Sequence, residues 1–206
     1  MINHKNSMKY IAGIFTLAAG LIFFLPAEIY AANSYNSYNL KQNYSVPTTG
    51  TTSPQILSLA PSPAVLVEGK RKNAVIVVDL ATNILYKYDK KGNPEIAYSV
   101  ASGKKSTPTS VGVRLVSHVE SYPYKTAPPL TNRRKKPSAF GPNVIILTMY
   151  DARTGLKWNN SEYIHGTDDP ESLGKYSSHG CIRMDNDVII KLSGQVKRGD
   201  VIVMKR

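Results

Sequence analysis

Ser177-Ser178-His179-Gly180-Cys181-Ile182-Arg183-Met184 holds the only cysteine in 206 residues and one of four histidines. A lone free cysteine often packs as a small apolar side chain. Its neighbours here suit a nucleophile better. Only a few per cent of an ordinary thiol, with a pKa of about 8.5, is thiolate at neutral pH, so a reactive cysteine requires a base or a cationic setting. Three histidines lie beyond the first thirty residues: His118, His165 and His179. His118 shares a strand pattern with Arg114 and Val116 and reads as structural or solvated. In extended backbone His179 faces the same way as Cys181. His165 lies sixteen residues upstream, at the end of a short strand and just before Gly166. Either of these two suits the base, and spacing does not choose, because base and nucleophile meet through the fold.

Gly180 permits a tight elbow ahead of the thiol. Its N–H and that of Cys181 then face a developing oxyanion. Arg183 suits a bidentate hold on a carboxylate. Together these residues describe acyl transfer through a thioester, on a substrate that carries a carboxylate. A competing arrangement takes His165, His179 and Cys181 with Asp168 or Asp169 as zinc ligands. The ligand types fit, but the spacing follows no common zinc pattern.

Around this stretch the chain is mostly β by pattern. Ala74-Val75-Ile76-Val77-Val78 is a buried strand. Ile84, Tyr86 and Tyr88 alternate with Leu85, Lys87 and Asp89, which predicts a half-exposed strand. Ile96, Tyr98 and Val100, then Val113, Leu115, Ser117 and Val119, continue the period of two as an antiparallel meander. Residues 121–143 carry five prolines and Arg133-Arg134-Lys135-Lys136, a long irregular loop whose basic run is a solvated surface or an anion contact. Val144 to Leu147 is another apolar strand, Trp158 a packing residue near a turn, and Glu162 to His165 a short strand. Asp185 or Asn186 caps one helix through Val188, Ile189 and Leu192, ended by Gly194. Val201 to Val203 is a closing strand. Residues 65–206 form one domain of 142 residues, enough to bury roughly 70% of the unfolded surface.

Residues 1–31 have the form of a signal peptide. Lys5 and Lys9 precede an uncharged run of 15 residues, Ile11 to Leu25, short of the roughly 20 that a bilayer span needs. Cleavage after Ala31 puts Ala31 and Ile29 at the specificity positions, and Ala32 offers a second site. Residues 32–64, with repeated Asn-Ser-Tyr and scattered proline, serine and threonine, are expected to be a disordered or low-complexity linker. Export makes Cys181 an unpaired thiol in an oxidising place. The formal charge is +12, and loss of two lysines and one glutamate with the leader leaves +11. Such a balance suits a polyanionic partner. Export favours envelope polymers over nucleic acid, and no stable membrane span is expected in the mature chain.

Ile164-His165-Gly166-Thr167, Leu173-Gly174 and Ser178-His179-Gly180-Cys181-Ile182-Arg183-Met184 resemble the signature of the L,D-transpeptidase catalytic domain of bacterial cell-wall enzymes. The resemblance extends over most of residues 70–206. Thr109-Ser110-Val111-Gly112 is similar to the family's Thr-Pro-x-Gly segment, with Ser110 in the proline position. The resemblance implies a mainly β, sandwich-like domain with a short helix after the cysteine, and it requires no metal or other cofactor. It implies Cys181 as nucleophile and His165 as base, oriented by the carbonyl of Gly166. His179 and Gly180 shape the oxyanion site, Ser178 supports the elbow, and Ser178, Tyr163 and Arg183 lie on the substrate side. The implied substrates are peptidoglycan stem tetrapeptides in the periplasm or cell-wall space. D-alanine leaves, and the thioester passes to an amine: another stem, a D-amino acid or an envelope lipoprotein. Carbapenem β-lactams are implied acylating agents. Two other readings stay open at this point: a cell-wall hydrolase or carboxypeptidase on the same scaffold, and a noncatalytic envelope-binding protein.

Overall fold

The computed structural model describes residues 46–126 and 137–206, all within the second of two units into which the chain divides, Tyr35–Arg206. The fold is mainly β. Ten strands form one mixed sheet whose main path runs β11-β9-β7-β6-β12-β2-β3-β4. The strands on it are β2 (Lys70–Asp79), β3 (Ile84–Tyr88), β4 (Pro94–Ser99), β6 (Gly112–Ser121), β7 (Asn143–Tyr150), β9 (Ile164–His165), β11 (Ile182–Arg183) and β12 (Val201–Lys205). β1 (Ala64–Val67) pairs off this path with β2, and β8 (Lys157–Trp158) with β7. A separate parallel pair joins β5 (Ser102–Gly103) to β10 (Tyr176–Ser178).

β12 is the closing strand in sequence, as expected, but it does not lie at the edge of the sheet. It enters the centre of the sheet, parallel to β2 and antiparallel to β6. A strand covered on both faces needs apolar side chains throughout the covered stretch, and residues 74–78 of β2 and 201–204 of β12 supply them. Ile76, Val78, Leu85, Ile145, Leu147, Ile202 and Met204 face one core, together with Val188, Ile189 and Leu192 of helix α2 (Asn186–Gln195). Val77, Ile84, Tyr86, Tyr88, Val201 and Val203 face a second core on the other side. This two-sided burial gives the domain its sandwich-like layering.

The second core extends the folded region beyond its expected start. Val46, Ile56 and Leu59 are buried in it, and Pro54–Leu57 forms a short helix, α1, capped by the Ser53 side chain. Thr51 bridges to Ala97. Residues 46–63 therefore pack on the sheet, although their composition suggests a linker. Three apolar side chains suffice: full burial of one such as Ile56 contributes about 1.5–3 kcal/mol. The leader 1–31, the first part of the linker and the basic run 133–136 lie outside the described residues.

Three further expectations change. β3 is buried on both faces, because β2 and β4 flank it and each side has its own core; Lys87 is accommodated by donating to Tyr88 O at 2.7 Å and pairing with Glu95 at 2.5 Å. Trp158 stands 47% exposed on the two-residue strand β8 and is not a packing residue. Gly194 lies inside α2, which ends one residue later. Asp185 is the N-cap and accepts from Asp187 N and Val188 N at 2.9 and 3.1 Å. Among the described residues no helix is long and apolar enough to cross a membrane.

Candidate active site

β11 runs parallel to β9, with Ile182 opposite Ile164 and Arg183 opposite His165. Side chains return to the same face every second residue, so the residue just ahead of β11, Cys181, projects to the side of Arg183 and His165. All three line one small cavity with Ala139, Asp168, Ser178 and His179. The sheet thus brings together residues far apart in sequence.

The two candidate imidazoles differ. His165 is buried at 3% exposure. Its Nδ1 lies 2.5 Å from Gly166 O. A carbonyl only accepts, so Nδ1 carries a proton, and in the neutral ring this contact selects the tautomer whose Nε2 is the acceptor. Phe140 meets the ring edge-on, with centroids 4.4 Å apart. His179 is exposed and lines the cavity. His118, expected to be structural or solvated, is half-exposed, tied to Ser117, Glu120 and Thr126, and is not among the residues that line the cavity. Among the described residues no three His, Cys, Asp or Glu side chains converge as a metal site.

A residue known from the sequence only as a possible helix cap holds the Gly166 carbonyl in place. Asn186 Oδ1 accepts from Thr167 N, and Asn186 Nδ2 donates to Thr167 O, both at 2.9 Å. A Cβ on Gly166 would lie 2.2 Å from Asn186 Oδ1. Gly166→Ala is therefore expected to push Asn186 off Thr167 and release the His165 anchor. Urea denaturation should show a loss of about 1–3 kcal/mol, the usual cost of overpacking, with a slower reaction of Cys181 toward acylating agents.

The elbow is pinned on several sides. Gly180 has φ +119°, a conformation that favours glycine. Its N–H donates to Ser178 Oγ at 3.0 Å, and Ser178 Oγ–H donates to Cys181 O at 2.6 Å. This corrects the expected oxyanion site: the Gly180 N–H is engaged within the turn. Ser178 is 1% exposed and its hydroxyl is committed, so it supports the elbow and is not free for a ligand. Gly180 O accepts from Thr109 Oγ1 at 2.7 Å, and Thr109 Oγ1 accepts from Gly103 N at 2.9 Å. Ser178 O accepts from Lys104 N at 3.0 Å.

Cys181 is half-buried. Its Sγ lies 3.8 Å from Ser161 O, and the residue packs against an apolar cluster made of Tyr124, Phe140, Val144, Ile146 and Tyr163. Tyr163, expected to contact substrate, is only 5% exposed and forms this apolar wall instead; its carbonyl accepts from Ile182 N at 2.8 Å. Tyr124 donates to Gly141 O. Burial, with help from Glu120 and Tyr122, raises its phenol to about 12.

Behind the elbow lies a fully buried arginine. Arg114 Nη2 pairs with Glu162 and donates to Ser110 O at 2.6 Å. Ser110 N–H and Oγ–H in turn donate to Glu162 at 3.0 and 2.9 Å. Proline at this position would lack that N–H, so Ser110 joins the network as the family's usual residue would not. Glu162 Cγ sits 3.5 Å from where a Gly180 Cβ would be. Burial pushes the Arg114 guanidinium below its ordinary value, with Glu162 pulling the other way.

A family model described as the L,D-transpeptidase catalytic domain matches residues 73–204, more than half of the chain. The Bacillus subtilis (strain 168) protein YqjB is 30% identical over 119 residues, 53% of this chain and 59% of that protein. YkuD of the same strain is 46% identical over 43 residues, 21% of this chain and 26% of that protein. The chain thus spans less than two thirds of the length of these relatives. The structure of Bdellovibrio bacteriovorus Bd1075 aligns with a TM-score of 0.50 and 20% identity, over 71% of this chain and 53% of that one, a likeness of fold. With more than half of its length matched by the family model, the chain belongs to the L,D-transpeptidase catalytic domain family.

Proposed function

We propose that the protein is an exported peptidoglycan L,D-transpeptidase, a cysteine acyltransferase acting in the periplasm or cell-wall space. The observation that carries this reading is the pairing, in one cavity, of Cys181 with an imidazole whose Nδ1 proton is committed to Gly166 O. That leaves His165 Nε2 to take the thiol proton. The thiolate attacks the carbonyl carbon between the third residue and the terminal D-alanine of a stem tetrapeptide. The C–N bond breaks, His165 returns the proton to the departing amine, and a thioester remains. An acceptor amine then attacks the thioester carbon, the C–S bond breaks, and the thiol is restored. Arg183, which lines the same cavity, meets a substrate carboxylate. The acceptor is a second stem, a free D-amino acid or the lysine of an envelope lipoprotein.

Incubation of the purified protein with tetrapeptide muropeptides, followed by mass spectrometry, tests the reading. Dimers formed with loss of D-alanine are the expected product. Tripeptide monomers alone would reassign the reaction to a carboxypeptidase, and no product at all would overturn the enzymatic reading.

A further inference from the structure

A second cavity, of about 240 Å³, opens where β2 meets the start of β12. Three of its lining side chains are cationic: Arg71, Lys72 and Lys90. Its one carboxylate, Asp200, is engaged by Lys90 Nζ at 2.6 Å and by Lys197 N at 3.0 Å. Lys72 Nζ is steadied by Gly199 O at 3.3 Å. Neither Arg71 nor Lys72 has a carboxylate within ion-pair distance among the described residues. Glu68, which senses Lys72 and Lys70 more weakly, is paired with Lys157 at 2.5 Å. Lys70, Lys197 and Arg198 continue the positive surface in sequence on either side, all exposed. The catalytic cavity shares no residue with this one. β2 lies four strand spacings from β9, about 19 Å across the sheet.

A groove with a surplus of held cations attracts a polyanion. Its chemistry narrows the kind. Arg71 offers a planar fork and the lysines offer compact charges, a combination that suits a permanently charged phosphate. No aromatic side chain lines the groove, so nothing there stacks a base, as single-stranded nucleic-acid sites do. We propose that this groove binds a linear phosphodiester polymer without bases, of the poly(glycerol phosphate) kind, with one phosphate between Arg71, Lys72 and Lys90 and its neighbours along Lys70, Lys197 and Arg198. The site holds the domain on its substrate-bearing surface and plays no part in acyl transfer, so it stands whether or not the proposed activity does.

Fluorescence anisotropy with labelled poly(glycerol phosphate) oligomers and the full chain tests this over a range of salt. The expected result is binding whose log–log salt slope is about −2 to −4, for three to six phosphates neutralised at roughly 0.7 each. Arg71→Glu breaks no hydrogen bond of the structure and should weaken binding roughly tenfold or more, with the melting temperature unchanged. Lys72→Gln should weaken it less and flatten the slope by about 0.7. Lys191→Glu, an exposed charge reversal on α2, should leave less than half that loss. The proposal is overturned if Arg71→Glu and Lys191→Glu weaken binding equally. It is also overturned if single-stranded DNA of equal charge binds as tightly as the base-free polymer and loses as much in Arg71→Glu.

Discussion

Cys181→Ala should show no mass increase on incubation with tetrapeptide stems or with a carbapenem, where the unaltered chain gains a covalent acyl adduct. Turnover should fall by at least roughly 10⁴-fold, since the nucleophile and its base act as a unit and loss of one forfeits nearly all that the pair supplies. His165→Ala should come close to the same loss. The structural consequences of the two changes differ. Cys181 is half-buried and flanked by an apolar cluster, so truncation to alanine removes little packing. His165 is buried against Phe140, so His165→Gln is the better partner variant, keeping volume while removing the Nε2 base. His179→Ala discriminates further. His179 is exposed, and its loss should reduce acylation far less than loss of His165. Intact-protein mass spectrometry reads all of these directly. A full-size adduct on Cys181→Ala would overturn the assignment of the nucleophile, and equal losses from His179→Ala and His165→Ala would overturn that of the base.

Much of this was legible in the sequence because it is local. The elbow is four consecutive residues, the Asp185 cap sits beside its helix, and period-two alternation marks the strands. What the sequence withheld depends on distant pairing. Choosing between His165 and His179 needs the register of β9 on β11 and the Gly166 carbonyl that fixes one ring. The Gly180 N–H looks available for an oxyanion until the Ser178 hydroxyl turns back to claim it. Residues 46–63 have the composition of a linker, and only the apolar face left open by β2, β3 and β12 gives Ile56 and Leu59 somewhere to go. Arg114 misleads most. On an alternating strand it shares a face with Val116 and His118, yet the register shift between Val116 and His118 separates the two. His118 is left half-exposed while Arg114 is fully buried.

Glu162→Leu should be the most destabilising single change outside the apolar cores. It strands the Arg114 guanidinium, at 0% side-chain exposure, without its carboxylate. Removing one member of a buried ion pair typically costs about 3–5 kcal/mol, because the remaining charge is neither solvated nor paired. For a folded unit of this size that corresponds to a fall in melting temperature of roughly 6–20 °C. Arg114 has little in reserve: its Nε already lacks a partner, and its remaining bonds go to Ser110 O and Oγ and, at 3.3 Å, to Gly112 O. Arg114→Met combined with Glu162→Leu removes both charges and should recover most of the melting temperature, since an apolar pair of similar volume replaces a buried ion pair at little cost. Activity should not recover with it. Glu162 also receives Ser110 N–H and packs behind Gly180, so the double variant keeps the fold but loosens the elbow. A cycle of the two single variants and the double, read once by thermal melting and once by the acylation rate of Cys181, separates the two roles. Recovery of the acylation rate along with stability would mean that the pair only holds the fold, while recovery of stability alone would make Glu162 a positioning residue for the thiol.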